Sequence, residues 1–190
     1  MNEVLNKIPN NSSAGPDGMT SVFPKKGGPF ITNAIMNLLF ESLESSYVPK
    51  IFCDIWTLPI WKGGPCTDPK EYRPIAGSSH IIKTMERIIR RQLVDFITDT
   101  GGYENCQHGS RTGRSATTQL VQQYISVLDT LSKGHNQEIV YLDFSKEFDK
   151  VFLSTLLHQL SKLGVQGDIL SWVRAFLEQR IARTENCYQC

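Results

Sequence analysis

A carboxylate inside an apolar run constrains this chain more than any other feature of its sequence. Residues 139–144 read Ile-Val-Tyr-Leu-Asp-Phe, a run typical of a buried strand. Because strand side chains alternate, Asp143 shares one face with Ile139 and Tyr141, and the other face belongs to the core. A buried charge needs a partner, a metal or a cleft. Asp143 is therefore either a salt-bridged edge residue or, at the end of a strand before a polar turn and a helix, a ligand for Mg²⁺.

Composition excludes some classes of protein. The 190 residues suffice for one domain core or part of a larger one, and 40% apolar and 21% charged residues indicate a soluble globular chain. A net charge of +1 gives no global attraction for polyanions, so any nucleic-acid affinity must come from local patches. Five cysteines without a secretory leader predict an intracellular protein, in the cytoplasm or the nucleus. No apolar run approaches the ~18 residues of a membrane span, so no membrane partner is expected.

Apolar periodicity predicts five helices and one hairpin. The predicted helix N-caps are Ser78 or Ser79, Ser115 or Thr117, and Asp168. The apolar stripe between Leu120 and Leu131 is expected to face inward. The helices lie at about residues 29–46, 79–96, 115–131, 150–163 and 168–177, and the hairpin pairs residues 56–60 with 71–75 across a glycine- and proline-rich tip.

The sequence around Asp143 is more specific than the strand pattern. The string YLDFSKEFDKV at residues 141–151 resembles the first catalytic-aspartate motif of reverse transcriptases from non-LTR (long-interspersed, jockey-like) retrotransposons, whose usual form is YLDFSKAFDKV. The resemblance implies that Asp143 is catalytic and binds the metal ions, with Mg²⁺ as cofactor, and that Phe144 and Phe148 line the nucleotide pocket. The ring of Phe148 would lie under the sugar and exclude a 2′-hydroxyl. Glu147 departs from the family's pattern, and Asp149 is either a catalytic group or a helix N-cap.

Three further segments carry the same resemblance. AGPDG at residues 14–18 is similar to the loop that opens the family's polymerase domain. The hairpin is similar to the family's fingers hairpin, which implies that Lys62 and Arg73 approach the triphosphate; alone, each would be a solvated surface cation. In QHGSRTGRS, Ser110 replaces the family's usual Phe, and His108 is expected to be a hydrogen-bonding loop residue. This segment implies nucleic-acid contacts by Gln107, Gly109, Arg111, Gly113 and Arg114.

The resemblance spans residues 8–180 and implies an α+β chain with a partial right-hand polymerase fold. Helix-rich fingers would occupy about residues 8–115, and part of an incomplete antiparallel palm sheet would occupy about residues 116–180. The tail at residues 181–190 departs from the family and has no apolar periodicity, so we expect it to be disordered.

The function expected from this resemblance is that of an RNA-directed DNA polymerase, a nucleotidyltransferase. Members of the family carry an Asp-Asp pair downstream of the position of Asp143, and this sequence has none, so we expect a truncated domain that is inactive alone. Its partners by resemblance are an RNA template, a DNA primer and a deoxynucleotide. Two alternatives stay open: a non-catalytic nucleic-acid-binding remnant, and an interaction module that self-associates through the exposed edge of the palm strand.

Overall fold

The computed structural model describes residues 13–144 and 150–184 and has the α+β composition predicted from the sequence. All five predicted helices and the hairpin are present. In chain order the elements are α1 (Val22–Lys26), α2 (Gly28–Ser45), α3 (Lys50–Cys53), β1 (Asp54–Trp61), a 3₁₀ turn (Pro69–Glu71), β2 (Tyr72–Gly77), α4 (His80–Asp99), α5 (Ala116–Ser132), α6 (Leu153–Lys162), α7 (Asp168–Glu178) and β3 (Ile181–Thr184). None of these described helices is both long and apolar enough to cross a membrane.

The chain divides into two compact units. The first comprises the residues up to Asp95 together with those from Phe152 onward, and the second is Phe96–Val151. The described part of the first unit holds the sheet, α1 to α3, most of α4, and α6 and α7. The described part of the second unit holds the end of α4, the following loop and α5. The predicted division into fingers and palm stays a prediction.

Strand β1 is the centre of a three-stranded mixed sheet in the order β2-β1-β3. It pairs antiparallel with β2, from Trp56 opposite Gly77 to Trp61 opposite Tyr72, which confirms the predicted hairpin. Its other edge pairs in parallel with β3, although the sequence predicted disorder from residue 181 onward. A strand edge presents unpaired N–H and C=O groups, and residues 181–184 satisfy them despite their irregular sequence pattern. Residues 185–190 lie outside the described part of the chain.

The apolar run at residues 139–144 does not form the predicted buried strand. These residues have no regular structure in the described chain, and their side chains are exposed, with Val140 at 79% and Leu142 at 83%. The run has the composition of a strand, but a strand forms only where another backbone supplies its hydrogen-bond partners. The described sheet is built on the β1–β2 hairpin and is mixed, so the expected antiparallel palm sheet is absent from the described residues.

The stripe on α5 is likewise exposed, contrary to the prediction that it faces inward. Leu120, Tyr124 and Ile125 are each at least 60% exposed. Periodicity sets the helical phase of a stripe, whereas burial depends on an element that packs against it. The described residues of the second unit provide no such element.

The core of the first unit lies between α2, α4 and α7. Trp172 of α7 is fully buried and stacks on Phe176, with ring centroids 4.9 Å apart. Its indole N–H donates to Ser42 Oγ of α2 at 2.9 Å, and the Ser42 hydroxyl donates to the carbonyl of Tyr47 at 2.6 Å. The polar groups of Trp172 and Ser42 are therefore hydrogen-bonded within the core. The remaining buried members of the cluster are Ile35, Leu39, Val48, Phe52, Cys53, Ile81, Ile82, Met85 and Ile89.

The loop at residues 14–18 is fastened to the first turn of α4. Ser79 Oγ accepts the N–H of Ile81 at 3.2 Å, as the predicted cap requires, and the Ser79 hydroxyl donates to Asp17 Oδ2. Asp17 Oδ1 in turn accepts the N–H of Met19 at 3.1 Å. A Cβ on Gly15 would lie 2.9 Å from Ser79 Cα, so the backbones approach as closely as glycine permits.

Of the other two predicted N-caps, the one at residue 115 is confirmed and the one at residue 168 is wrong. Ser115 caps α5 in a capping box with Thr118, as predicted. Asp168 is not an N-cap. The N-cap of α7 is Gly167, at φ 68°, and Asp168 is the first helical residue. There its negative carboxylate interacts favourably with the positive end of the helix dipole.

An ion pair joins α4 to the residue just before β3. Arg180 Nη2 lies 2.9 Å from Glu86 Oε1, and its guanidinium stacks over Phe176, 4.5 Å from the ring centroid. Burial raises the pKa of the Glu86 carboxyl, and this effect exceeds the opposing effects of Arg180, Lys83 and Arg87. The ionised carboxylate is thus held at some cost in solvation.

The raised pKa of Glu86 predicts a pH-dependent effect of Glu86→Gln. The folded chain binds this proton more tightly than the unfolded chain, so the free energy of unfolding of the wild type falls as the pH rises from the ordinary value of 4.5 through the raised pKa. Glutamine keeps an acceptor for Arg180 and does not titrate. We expect the stability of the variant relative to the wild type to increase across this window, measured by urea denaturation from pH 4 to 8.

The comparison variant is Glu178→Gln, which removes a carboxylate from the exposed pair with Arg174 on α7. If the wild type instead gained stability relative to Glu86→Gln as the pH rises, the raised pKa of Glu86 would be contradicted.

Candidate nucleotide and nucleic-acid interface

The β1–β2 hairpin brings two predicted phosphate-binding cations to one face. Residues directly opposite each other share a face, and Arg73 lies opposite Ile60. Lys62 follows Ile60 by two positions, and its N–H donates to the carbonyl of Glu71 at 2.8 Å, which continues the ladder by one step. Strand alternation therefore places Lys62 on the same face as Arg73. Both cations are exposed near the tip of the hairpin.

The tip is ordered by its own polar groups. The Lys62 ammonium donates to the carbonyl of Lys70 at 2.7 Å, and the indole N–H of Trp61 donates to the carbonyl of Gly64 at 2.8 Å. Tyr72 Oη donates to the carbonyl of Cys66 at 2.9 Å. An ammonium has three donors, so Lys62 can hold the tip and still contact an anion.

The loop before α5 uses its two arginines to hold its own backbone. Arg111 donates to the carbonyl of Glu104 at 3.1 Å and lies over the ring of Tyr103, and Arg114 donates to the carbonyl of Asn105 at 2.5 Å. The sequence indicated phosphate contacts for both arginines and did not reveal these internal ones. A guanidinium carries five N–H donors, so each arginine retains others for a phosphate.

The glycines of this loop leave its backbone open to approach. A Cβ on Gly109 or Gly113 would meet nothing within 4 Å, and Gly113 has φ 76°. Ser110, where the family has an aromatic residue, adopts φ 56°, a left-handed conformation uncommon for serine. Gln107 donates from Nε2 to the carbonyl of Gly109 at 3.4 Å.

His108 anchors the loop to α5. Its side chain is buried, with Nδ1 2.8 Å from Thr118 Oγ1 and Nε2 2.8 Å from Gln122 Oε1. Arg114 Nη1 lies 3.2 Å from the same Nε2. The prediction of a hydrogen-bonding loop residue is confirmed. Its partners on α5 were not predicted, because neither Thr118 nor Gln122 belongs to a pattern that signals a contact.

Asp143 and Phe144 lie on an exposed, irregular segment. The segment contacts α5 through Gln123 Nε2, which donates to Tyr141 Oη at 3.0 Å. Phe148, the third residue predicted for the nucleotide pocket, lies outside the described part of the chain. Across residues 13–144 and 150–184, no group of three or more His, Cys, Asp or Glu side chains could hold a metal ion. The described residues therefore do not complete a metal site around Asp143.

The predicted site residues fall into two sets. Lys62 and Arg73 belong to the first unit, and the loop at residues 107–114 belongs with Asp143 and Phe144 to the second. Within each set the structure gives the local geometry just described. The chemistry available is cationic binding of phosphate on the hairpin, and a glycine-containing cationic loop beside α5.

Comparison with known proteins gives this geometry a context. Residues 60–190 match the family model described as reverse transcriptase (RNA-dependent DNA polymerase). Over 98% of its length the chain is 26% identical to 21% of the probable RNA-directed DNA polymerase from transposon BS of Drosophila melanogaster. Over 75% of its length it is 28% identical to 16% of the RNA-directed DNA polymerase from mobile element jockey of the same fly. A retrovirus-related Pol polyprotein from type-1 retrotransposable element R2 of Popillia japonica is 26% identical over 87% of this chain and 22% of its own length. The chain thus spans about a fifth of the length of these relatives.

The capping box of α5 predicts a local effect of Ser115→Ala. Ser115 Oγ accepts the N–H of Thr118 at 3.2 Å, and the Thr118 hydroxyl oxygen accepts the N–H of Ser115 at 2.9 Å. Loss of the serine oxygen should lower protection of the first turn of α5 by about 1 kcal/mol. The measurement is amide hydrogen exchange of residues 116–120. Thr117→Ala is the matched control, because Thr117 was the alternative cap in the sequence. Equal losses from both variants would contradict the role of Ser115.

Proposed function

This chain belongs to the reverse transcriptase (RNA-dependent DNA polymerase) family, and we propose that it supplies the nucleotide-binding hairpin and the first metal-binding carboxylate of a retrotransposon RNA-directed DNA polymerase. The observation that carries the proposal is that the family match begins in β1 and covers Lys62, Arg73 and Asp143, while the hairpin sets the first two on one face. The reaction class is nucleotidyl transfer from a deoxynucleotide to a DNA primer on an RNA template.

The hairpin is the proposed triphosphate-binding element. Arg73 offers a planar fork that can bind phosphate oxygens in pairs, and Lys62 offers a point charge from the neighbouring strand. Both are exposed and share a face, so one polyphosphate can reach them together. Trp61 and Tyr72 keep the tip in place through bonds to its carbonyls, which lowers the ordering cost when the nucleotide binds.

Asp143 is the proposed catalytic carboxylate. Reverse transcriptases generally use divalent metal ions, and we propose Mg²⁺ here, with Asp143 as one ligand. Such metals stabilise the developing charge on a transferring phosphoryl group. The described residues do not complete the metal site, so no reaction step is assigned to them. Phe144 and Phe148 are the proposed walls of the nucleotide pocket, with the ring of Phe148 excluding a 2′-hydroxyl.

The loop at residues 107–114 is the proposed contact for the template and primer. Arg111 and Arg114 lie within a loop whose two glycines leave room for a sugar-phosphate chain. His108 supports this role by fixing the loop to α5. Gln107 would add a neutral donor to the same backbone.

A second candidate function is non-catalytic binding of nucleic acid. It is favoured by the position of Asp143, which is exposed and is not part of a metal-binding cluster in the described residues.

Self-association is a related proposal that rests on the exposed apolar side chains of α5 and of residues 139–144. Light scattering over a concentration series tests this proposal, and a concentration-independent monomer would refute it.

Nucleotide binding tests the hairpin. We expect Lys62→Gln and Arg73→Gln each to weaken binding of dTTP about tenfold or more, because each removes a charge-assisted hydrogen bond. The measurement is isothermal titration calorimetry of the 190-residue chain. Arg174→Gln is the control, since Arg174 is an exposed, ion-paired arginine on α7. Unchanged dTTP affinity in both hairpin variants would refute the proposed triphosphate site.

Primer extension tests whether these 190 residues form a complete active site. These 190 residues contain no Asp-Asp pair, so we expect them to extend no primer on an RNA template with either Mg²⁺ or Mn²⁺. The assay is gel analysis of a labelled primer, with the Asp143→Asn variant run in parallel. Extension by the wild type that disappears in Asp143→Asn would show a complete active site and overturn this expectation.

A further inference from the structure

Strand β3 adds a third cation to the face that carries Lys62 and Arg73. In the parallel pairing Arg183 lies opposite Trp56, and in the antiparallel pairing Arg73 lies opposite Ile60. Trp56 and Ile60 are four positions apart on β1, so their side chains point to the same side. Arg183, Arg73 and Lys62 therefore share one face of the sheet, here called the cationic sheet face.

Burial identifies this face as the one turned away from the core. Ile55 is only 6% exposed and points to the opposite side, whereas its neighbours Asp54 and Trp56 are half-buried. The ion pair between Arg183 Nη2 and Asp54 Oδ1, at 3.5 Å, independently places both side chains on the same side. Ile60 and Ile75, between the cations, are 52% and 46% exposed. The cationic sheet face is thus open near the hairpin tip.

The spacing of the cations suits a polymer better than a single nucleotide. Arg73 and Arg183 lie on the two outer strands, about 10 Å apart across the sheet and about 13 Å apart along it. This gives about 16 Å between their backbones, compared with an axial rise of about 3.4 Å per phosphate along one strand of a duplex. Several consecutive phosphates are needed to span that distance.

Two carboxylates lie on or beside the same face. Glu71 lies opposite Lys62 at the start of the tip, and Asp54 pairs with Arg183. The Arg183 side chain is 68% exposed, and an ion pair so exposed contributes little stability. A phosphate can therefore replace Asp54 as the partner of Arg183 at small cost. In the absence of nucleic acid, Asp54 keeps the guanidinium over the sheet.

We propose that the cationic sheet face binds the phosphate backbone of a nucleic-acid strand, with Arg183 as the contact that β3 contributes. The inference rests on the proposed function, because the hairpin cations are already assigned to phosphate there. It adds a residue from a segment for which the sequence predicted no structure. It also assigns Asp54 an opposing effect, since this carboxylate competes with the phosphate for Arg183.

The test uses a fluorescein-labelled 12-nucleotide oligo(U) RNA and the full 190-residue chain. Fluorescence anisotropy is measured between 50 and 200 mM NaCl. We expect Arg183→Gln to weaken binding several-fold and to reduce the slope of log affinity against log salt by about 0.7, the value for one phosphate contact on a single strand. Asp54→Asn should change the affinity in the opposite direction and strengthen binding. Arg183→Lys, which retains the charge, should keep most of the wild-type slope of log affinity against log salt.

Matched controls separate a phosphate contact from a structural effect. Arg174→Gln removes an arginine that is also exposed and also paired with a carboxylate, but on α7, and should leave binding unchanged. Tighter binding by Asp54→Asn supports the inference even if Arg183→Gln proves unstable, because it needs no loss of the arginine. Weaker or unchanged binding by Asp54→Asn would overturn it.

The outcomes also distinguish this inference from the function on which it rests. If Lys62→Gln and Arg73→Gln weaken RNA binding while Arg183→Gln does not, the hairpin cations contact phosphate without help from β3, and the contribution of Arg183 is refuted. If none of the three variants weakens RNA binding, the cationic sheet face is refuted as a site for a nucleic-acid strand, whereas the triphosphate assignment of Lys62 and Arg73 is decided separately by the dTTP titration.

Discussion

The arrangement of the first unit depends on the backbone hydrogen bonds of a single strand, β1. An eight-residue strand has two edges, and each edge carries N–H and C=O groups that need partners. The hairpin supplies one set of partners from a neighbouring stretch of sequence. The other set comes from residues more than a hundred positions away, after α7. Because β2 pairs with one edge from Trp56 to Trp61 and β3 pairs with the other from Asp54 to Thr57, the faces of β1 are fixed, and with them the side on which each cation lies.

The contacts around β1 connect the sheet to the helical core. Arg180, just before β3, reaches Glu86 on α4 and lies over Phe176 on α7. At the other end of the hairpin, β2 leads into Ser79, which caps α4 and contacts Asp17. Both outer strands of the sheet therefore lie next to polar contacts with α4: β2 precedes the Ser79 cap, and β3 follows the Arg180–Glu86 ion pair. A site on this sheet is therefore held by rigid elements rather than by a free loop.

Local patterns predicted local structure well. The helical periods, the hairpin and the caps at Ser79 and Ser115 depend on residues close in sequence, and the structure confirms them. Burial was predicted less well, because an apolar stripe such as that of α5 shows only which side would pack if a partner were present. Residues 139–144 do not form the predicted strand because no described backbone segment pairs with them. The strand β3 was missed since its order comes from a distant edge and not from its own pattern.

The candidate site shows the same division. The family resemblance placed Lys62 and Arg73 on the two strands of one hairpin, and the observed register adds that they share a face. The hydrogen-bond partners of Arg111, Arg114 and His108 could not be predicted, since backbone carbonyls and neutral side chains carry no sequence signal for such contacts. Arg183 required knowledge of the parallel register.

The strict alternation of the hairpin also determines where this chain can tolerate insertions and deletions. If one residue were removed from β1 while β2 kept its place before α4, Lys62 would turn to the face opposite Arg73. Residues added between Gly63 and Asp68 would lengthen the tip and leave both strands in register, since the ladder closes at Lys62 and Glu71. Length variation among related chains should therefore accumulate in the tip, while the number of residues from Asp54 to Lys62 and from Glu71 to Gly77 stays constant.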